Sequence, residues 1–276
     1  MKKYCYINGK ITLEDRASIS IKDLGLLRGY SVFDFLRTYN GQPFFLHEHL
    51  ARLANSAKLV GLKMPVSKLE IGKVINKLLR INKHKEAAIK IIVTGGISKD
   101  GLTYDKNYST IIIITKEIPP RQDKIYKKGI KLITYDFQRN NAGAKTTDYI
   151  TMLKLQDQKE RFGASEILYT NKGFVLEGAT SNVFIFKNNT LITPKNNILA
   201  GITKKVVMKL AAKKFKVEER DIKISEIKKA TGAFITSTTR EILPVVKIDS
   251  TKIGSGRVDK NTSWLIQAFK NYTDRF

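Results

Sequence analysis

Two Asn-Gly pairs, each set between runs that alternate apolar and polar residues, constrain the first third of this chain more than any other feature. In YCYINGKIT the pair is Asn8-Gly9, and in SVFDFLRTYNGQPFFL it is Asn40-Gly41. Both central positions of a type I′ turn need residues that accept positive φ, and that turn matches the twist of antiparallel strands. Each pair therefore predicts a hairpin. Two helical stretches follow: EHLARLANSAKLVGL puts Leu50, Leu53, Ala57 and Val60 on one face, and LEIGKVINKLLRI repeats the period with Ile71, Val74, Ile75 and Leu78. AAIKIIVTGG and STIIIIT return to strand, giving an α+β arrangement.

KEIPPRQDK, with two adjacent prolines and mixed charge, reads as a linker. The expected division is an N-terminal α+β domain over 1–117, a linker over 118–125 and a larger, mixed, β-rich domain over 126–276. In the last, GIKLITY is a strand and GAKTTDY leads into a helix spanning ITMLKLQDQKERFG. SEILYT, GFVLEG, SNVFIF and TLITP read as short strands joined by tight turns. A helix opens after Gly201, and AFITSTTREILPVVKI supplies two more strands.

The charge, +25 over 276 residues, raises the question of nucleic acid. The excess is 38 Lys against 12 Arg, spread over every segment, whereas backbone recognition concentrates its charge in a stripe, often with arginine. A solvated lysine-rich surface is the reading, with no nucleic-acid partner. Such a field still attracts small anions. MKKYCYINGK turns polar at once and no apolar run approaches a membrane span, so the expectation is a cytoplasmic protein without a membrane segment. The single cysteine, Cys5, excludes an internal disulfide and a thiolate cluster. His47 and His49 in HEH diverge at the start of a helix, and His84 gives no third ligand, so no metal site is expected.

Four features look unlike packing. Lys145 in GAKTTDY sits among small residues before a helix, but a lysine does covalent chemistry only where its charge is suppressed and its electrophile is held. Glu177 in VLEGATSNVF ends an apolar strand, where a carboxylate either caps a turn or faces a cation in a pocket. Gly201-Ile202-Thr203 opens a helix, whose free N–H groups and dipole make either an anion site or an ordinary cap. Ser237, Thr238 and Thr239 add hydroxyls at a strand end. A Schiff-base lysine, a carboxylate for a pyridinium nitrogen and hydroxyl-rich anion sites are together the parts that pyridoxal 5′-phosphate requires.

From Tyr30 to about Val246 the chain resembles the class IV, fold type IV, pyridoxal-phosphate aminotransferases, which include branched-chain aminotransferases, D-amino-acid transaminases and aminodeoxychorismate lyases. SVFDFLRTYNGQPFFLHEHLARL, AKTTDY, LEGATSNVF, TPKNNILAGIT and TSTTREILPV carry the resemblance, in this order. It implies a two-domain fold with a small N-terminal α/β domain, an amino-acid:2-oxo-acid transaminase working by a ping-pong cycle, and a homodimer. The alternative within the family is a 4-amino-4-deoxychorismate lyase. The resemblance further implies that Lys145 forms the internal aldimine and then acts as general base, and that Glu177 pairs with the pyridine nitrogen. Arg52 would bind the phosphate from one domain, and Thr203, the Ile202 amide, Ser237 and Thr238 from the other, with Tyr149 near the phenolic oxygen. For the substrate carboxylate, Arg28, reaching across the dimer, and Arg37 are the expected cations, with Tyr30 and Phe33 as pocket wall. Some D-amino-acid transaminases carry an Arg-x-His pair where this chain has Asp100 and Leu102, so that carboxylate trap is absent. Branched-chain L-amino acids and D-amino acids both stay open as substrates.

Overall fold

The computed structural model describes residues 2–276. It separates into two compact units: one runs to Pro119 and takes in Gly143–Asp148 and Phe276, and the other comprises Pro120–Ala142 and Tyr149–Arg275.

In the first unit, β1 (Tyr4–Ile7) and β2 (Lys10–Leu13) form the first hairpin, followed by α1 (Leu24–Arg28), β3 (Ser31–Tyr39) and β4 (Gln42–Pro43). Then come α2 (Leu46–Leu59), α3 (Lys68–Asn82), β5 (Ala87–Thr94) and β6 (Thr110–Glu117). Asn8, Gly9, Asn40 and Gly41 all have positive φ, as the two Asn-Gly pairs require. The sheet runs β2-β1-β6-β5-β3-β4. Alternation along β3 and β5 sends Val32, Leu36, Ile89, Ile91 and Val93 to one face, where they pack with Leu50, Leu53, Ala57, Ile71, Ile75 and Leu78 of α2 and α3. Each such buried Leu or Ile contributes about 1.5–3 kcal/mol. Beyond α2, Val60 lies just past the helix as its C-cap.

The strip Gly143–Asp148 groups with this unit because it fills an open edge. At Ser31–Phe33, β3 pairs with β5 on one side, and on the other Phe33 N–H donates to Lys145 O (2.8 Å) and Thr147 N–H to Ser31 O (3.3 Å), with Val32 opposite Thr146. Lys145 and Thr147 thereby share the side-chain face of Ser31 and Phe33, away from the helices.

The second unit contains α4 (Asp123–Lys128), β7 (Ile130–Asp136), α5 (Ile150–Lys154), α6 (Gln156–Arg161), β8 (Glu166–Asn171) and β9 (Phe174–Gly178). It continues through β10 (Asn182–Lys187), β11 (Thr190–Thr193), α7 (Ile202–Ala211), β12 (Lys216–Glu219), β13 (Ile222–Lys223) and α8 (Ile224–Ile227). It closes with β14 (Gly232–Ser237), β15 (Glu241–Ile248), β16 (Thr251–Lys252) and α9 (Lys260–Thr273). The strand order is β12-β11-β10-β14-β15-β7-β8-β9-β13, with β16 on β15. β7 is parallel to both β15 and β8, and β12 is parallel to β11; the other pairs are antiparallel. One core runs through Leu132, Leu168, Val183, Ile185, Ile235, Leu243 and Val245.

Three elements differ from the sequence reading or were outside it. The helix expected over 150–163 breaks at Leu155, which is buried while Ile150 and Leu153 are exposed, so one continuous apolar face is not maintained. Strand β12, KVEE, carries too much charge to read as a strand and forms by pairing with β11. Helix α9 is capped by Asp259, whose carboxylate accepts from the Asn261 and Thr262 amides, and it buries Leu265 and Phe269. Among the described residues no helix is long and apolar enough to cross a membrane.

Candidate active site

In the first unit the chemistry gathers around Lys145. Its backbone N–H donates to Ser56 Oγ on α2 (3.0 Å), and its amine lies over the Phe33 ring, 4.6 Å from the centroid. The Lys90 amine, from the neighbouring strand, lies 5.0 Å from the centroid of the same ring. Ser31 and Thr147 hydroxyls are hydrogen-bonded beside it. Main chain and ring thus fix the amine on one sheet face.

One turn before Ser56, Arg52 is clamped on Asp34. Arg52 Nε donates to Asp34 Oδ2 (2.8 Å) and Nη2 to Oδ1 (2.9 Å), while His49 Nδ1 sits 2.6 Å from Oδ1. Burial alone would raise the Asp34 carboxyl, but the Arg52 guanidinium and the hydrogen bonds from His49 and Arg52 hold it well below the usual carboxylate range. Burial pushes His49 below the usual imidazole range against the pull of Asp34, and the charges of Arg52 and Lys145 add to the lowering. The result is a fixed, largely buried guanidinium.

The second unit holds Glu177 at the end of β9, 5% exposed. Its Oε1 accepts from Arg139 Nε (2.9 Å) and Nη2 (2.6 Å), and Oε2 accepts from the Leu199 N–H (2.9 Å). Arg139 Nη2 also donates to Ala142 O (2.7 Å). Nearby, the buried Tyr169 packs edge-on against Phe137, and burial first, then the Glu166 charge, push its hydroxyl up to about 12. Tyr149 and Glu177 act on it in the same direction.

From Leu199 the chain runs in two residues to Gly201, the N-cap of α7, which makes no side-chain cap. A Cβ at Gly201 would lie 2.0 Å from Asn182 Oδ1, so only glycine brings the main chain this close. The first turn therefore presents its amides, Ile202 first, with the Thr203 hydroxyl beside them. Ser237 ends β14, and Thr238, Thr239 and Arg240 form the tight turn to β15. Arg240 braces that turn: its Nη2 meets Glu166 Oε2 (2.9 Å) and Thr180 Oγ1 (2.5 Å), and its carbonyl accepts from the Tyr126 hydroxyl (3.0 Å).

The structure brings Lys145 to Phe33, and places Arg52 four residues before the Ser56 that holds the Lys145 amide. Three further sequence-selected residues of the first unit lie elsewhere in it, and Tyr149, Glu177, Ile202, Thr203, Ser237 and Thr238 belong to the second. Arg28, exposed at the end of α1, donates to Leu27 O (3.2 Å). Arg37 donates to Thr38 O (3.1 Å) and stacks on the Tyr39 ring at 4.1 Å. The Tyr30 hydroxyl donates to Val60 O (2.8 Å) and its ring meets Tyr104 edge-on at 5.5 Å. Asp34, Ser56, Lys90 and Arg139 escaped the sequence reading, and His49 entered it only as a rejected metal ligand. Asp34 alternates with core apolar residues on β3, which is a signal for a buried charge needing a cation; Arg139 has no comparable local signal. Among the described residues no cluster of three His, Cys, Asp or Glu could hold a metal ion.

The match to the family Amino-transferase class IV extends over residues 31–248. The chain belongs to the class IV aminotransferases. It is 37% identical to a Methanocaldococcus jannaschii protein provisionally named a branched-chain-amino-acid aminotransferase, across 96% of this chain and 95% of that one. It is 30% identical to the D-alanine aminotransferase of Bacillus licheniformis, covering 96% and 95%. Among solved structures, the Escherichia coli branched-chain amino acid aminotransferase superposes with a TM-score of 0.91 at 26% identity, covering 98% of this chain and 94% of that one. The fold is the fold type IV aminotransferase fold, with its two sheets.

Class IV aminotransferases are pyridoxal-phosphate enzymes that act on amino acids and 2-oxo acids. Each unit carries groups of the chemical types that this cofactor needs: the first an amine and a guanidinium, the second a buried carboxylate, free helix amides and hydroxyls.

Proposed function

We propose that this class IV aminotransferase moves amino groups between branched-chain L-amino acids and 2-oxo acids in the cytoplasm, by a ping-pong cycle on a Lys145-linked cofactor. The observation that carries the choice of branch is the loop Ser98–Thr103. Asp100 Oδ1 accepts from the Ser98 hydroxyl (2.9 Å) and the Leu102 and Thr103 amides (2.9 and 2.7 Å), and Oδ2 accepts from the Thr103 hydroxyl (2.6 Å). These bonds hold Asp100 well below the usual carboxylate range, so it is an anion at working pH. An ionised carboxylate locked at that position repels a substrate carboxylate, where a D-amino-acid enzyme of the Arg-x-His type would attract one. The Methanocaldococcus relative supports the same branch.

Bound pyridoxal phosphate supplies the electron sink and the aldehyde carbon that exchanges amines. Lys145 would be the residue that holds that carbon, and its Nζ would move the proton taken from the substrate Cα. Glu177 would hold a proton at the ring nitrogen. Arg52, the Ile202 amide, Thr203, Ser237 and Thr238 would hold the phosphate, and the Tyr149 hydroxyl would donate to the phenolic oxygen. Phe33 forms apolar wall beside Lys145.

A homodimer completes the reading, with Arg28 of one copy clamping the substrate carboxylate in the other. Around Arg28, Ile21 is 79%, Leu26 61% and Leu102 71% exposed, more apolar surface than a monomer usually shows in one region.

The test is a half-reaction panel. Purified protein with pyridoxal phosphate is mixed with L-leucine, D-alanine or aminodeoxychorismate, and the change in cofactor absorbance is followed. Fast conversion with L-leucine alone supports the reading. Conversion by D-alanine at an equal or higher rate, or pyruvate release from aminodeoxychorismate, contradicts it.

A further inference from the structure

We infer that Arg139 is a positioning residue that decides where the proton of the Glu177 contact resides: it fixes Glu177 as an anion, so that the proton stays on the cofactor's ring nitrogen. The inference rests on the reading that Glu177 meets that nitrogen.

A carboxylate as buried as Glu177 takes up a proton unless something stabilises its charge. Arg139 brings two N–H donors to one oxygen, at 2.9 and 2.6 Å, and the Leu199 amide brings a third to the other at 2.9 Å. The guanidinium is itself tied to the Ala142 carbonyl, so it is held in place on the main chain. The titratable groups around it do not share this task. Tyr169 is neutral, with its hydroxyl pushed up to about 12. The Glu166 carboxyl is matched by Arg240. Tyr149 carries no positive charge. Arg139 is the cation paired with Glu177.

A carboxyl oxygen and a pyridine nitrogen in contact share one proton. On nitrogen it makes an ion pair, which draws electrons into the ring; on oxygen it makes a neutral pair, which does not. Arg139 favours the first by stabilising the carboxylate. Without it the same proton moves from nitrogen to Glu177, with no proton gained or lost overall. The guanidinium therefore acts on the reaction through Glu177.

The experiment loads wild type, Arg139→Lys, Arg139→Gln and Arg139→Met with pyridoxal phosphate labelled with ¹⁵N in the ring, and reads nitrogen protonation from its chemical shift. Cofactor content and half-reaction rate are measured on the same samples. Wild type and Arg139→Lys are expected to show protonated nitrogen, and Arg139→Gln and Arg139→Met unprotonated nitrogen. The latter two should lose about a hundredfold in kcat with KM changed much less, the size typical of a displaced catalytic proton. In a Glu177→Gln background, Arg139→Gln should cost almost nothing more. If Arg139→Met does not fold, Arg139→Gln decides the matter. A protonated nitrogen in a folded Arg139→Gln enzyme would overturn the inference and leave the functional reading standing. A wild-type protein that binds no labelled cofactor would overturn both.

Discussion

Asp34 is fully buried on β3 and is matched on two sides, by the Arg52 guanidinium and the His49 ring. Its folded pKa lies below the unfolded value, so the stability it contributes is present above roughly pH 4 and is lost as pH falls below that toward the folded value. His49 is also depressed: the fold prefers it neutral, and stability falls as pH drops from about 6.5 toward its folded pKa. Both terms therefore act in the acid direction, His49 first. Thermal melts between pH 7 and pH 3 should show wild type losing stability in two stages, with His49→Gln flattening the first and Asp34→Asn the second. Asp34→Asn at pH 7 should also cost about 3–5 kcal/mol, because it leaves Arg52 without its carboxylate. A melt in which Asp34→Asn matched wild type at every pH would show that the clamp contributes nothing.

At the level of elements, the strap Leu199–Gly201 connects the Glu177 carboxylate to the N-terminus of α7, and its geometry depends on glycine. Gly201→Ala should cost about 1–3 kcal/mol from overpacking against Asn182 and weaken pyridoxal phosphate binding at least tenfold, measured by equilibrium titration. Adding Asn182→Ala removes the atom that the new Cβ strikes and should restore most of the affinity. Affinity unchanged in Gly201→Ala would separate the helix N-terminus from the cofactor. What was legible in the sequence follows the range of the forces involved. The hairpins at Asn8-Gly9 and Asn40-Gly41, the faces of α2 and α3, and the alternation of β3 and β5 are set by neighbours in the chain, and they read correctly. Strand β12 takes its form from pairing with β11, so its own composition does not announce it. Lys145, Glu177 and Thr203 stood out through a family pattern, whereas Arg139 is tied to Glu177 by a contact across 38 residues, which no local spacing encodes.

At the scale of the whole molecule, the account turns on one lysine among 38. Lys145 lies in a six-residue strip that groups with the first unit while the chain on either side belongs to the second. Its main chain is held by Phe33 and Ser56, and its amine by the Phe33 ring. The amine of Lys90, over the same ring, is the natural control. The decisive measurement is to load the purified protein with pyridoxal phosphate, reduce it with borohydride, digest it and locate the pyridoxyl label by mass spectrometry. The account expects the label on Lys145 alone, and an unlabelled, inactive Lys145→Ala protein. A label on Lys90 or another lysine, or an active Lys145→Ala protein, would contradict it.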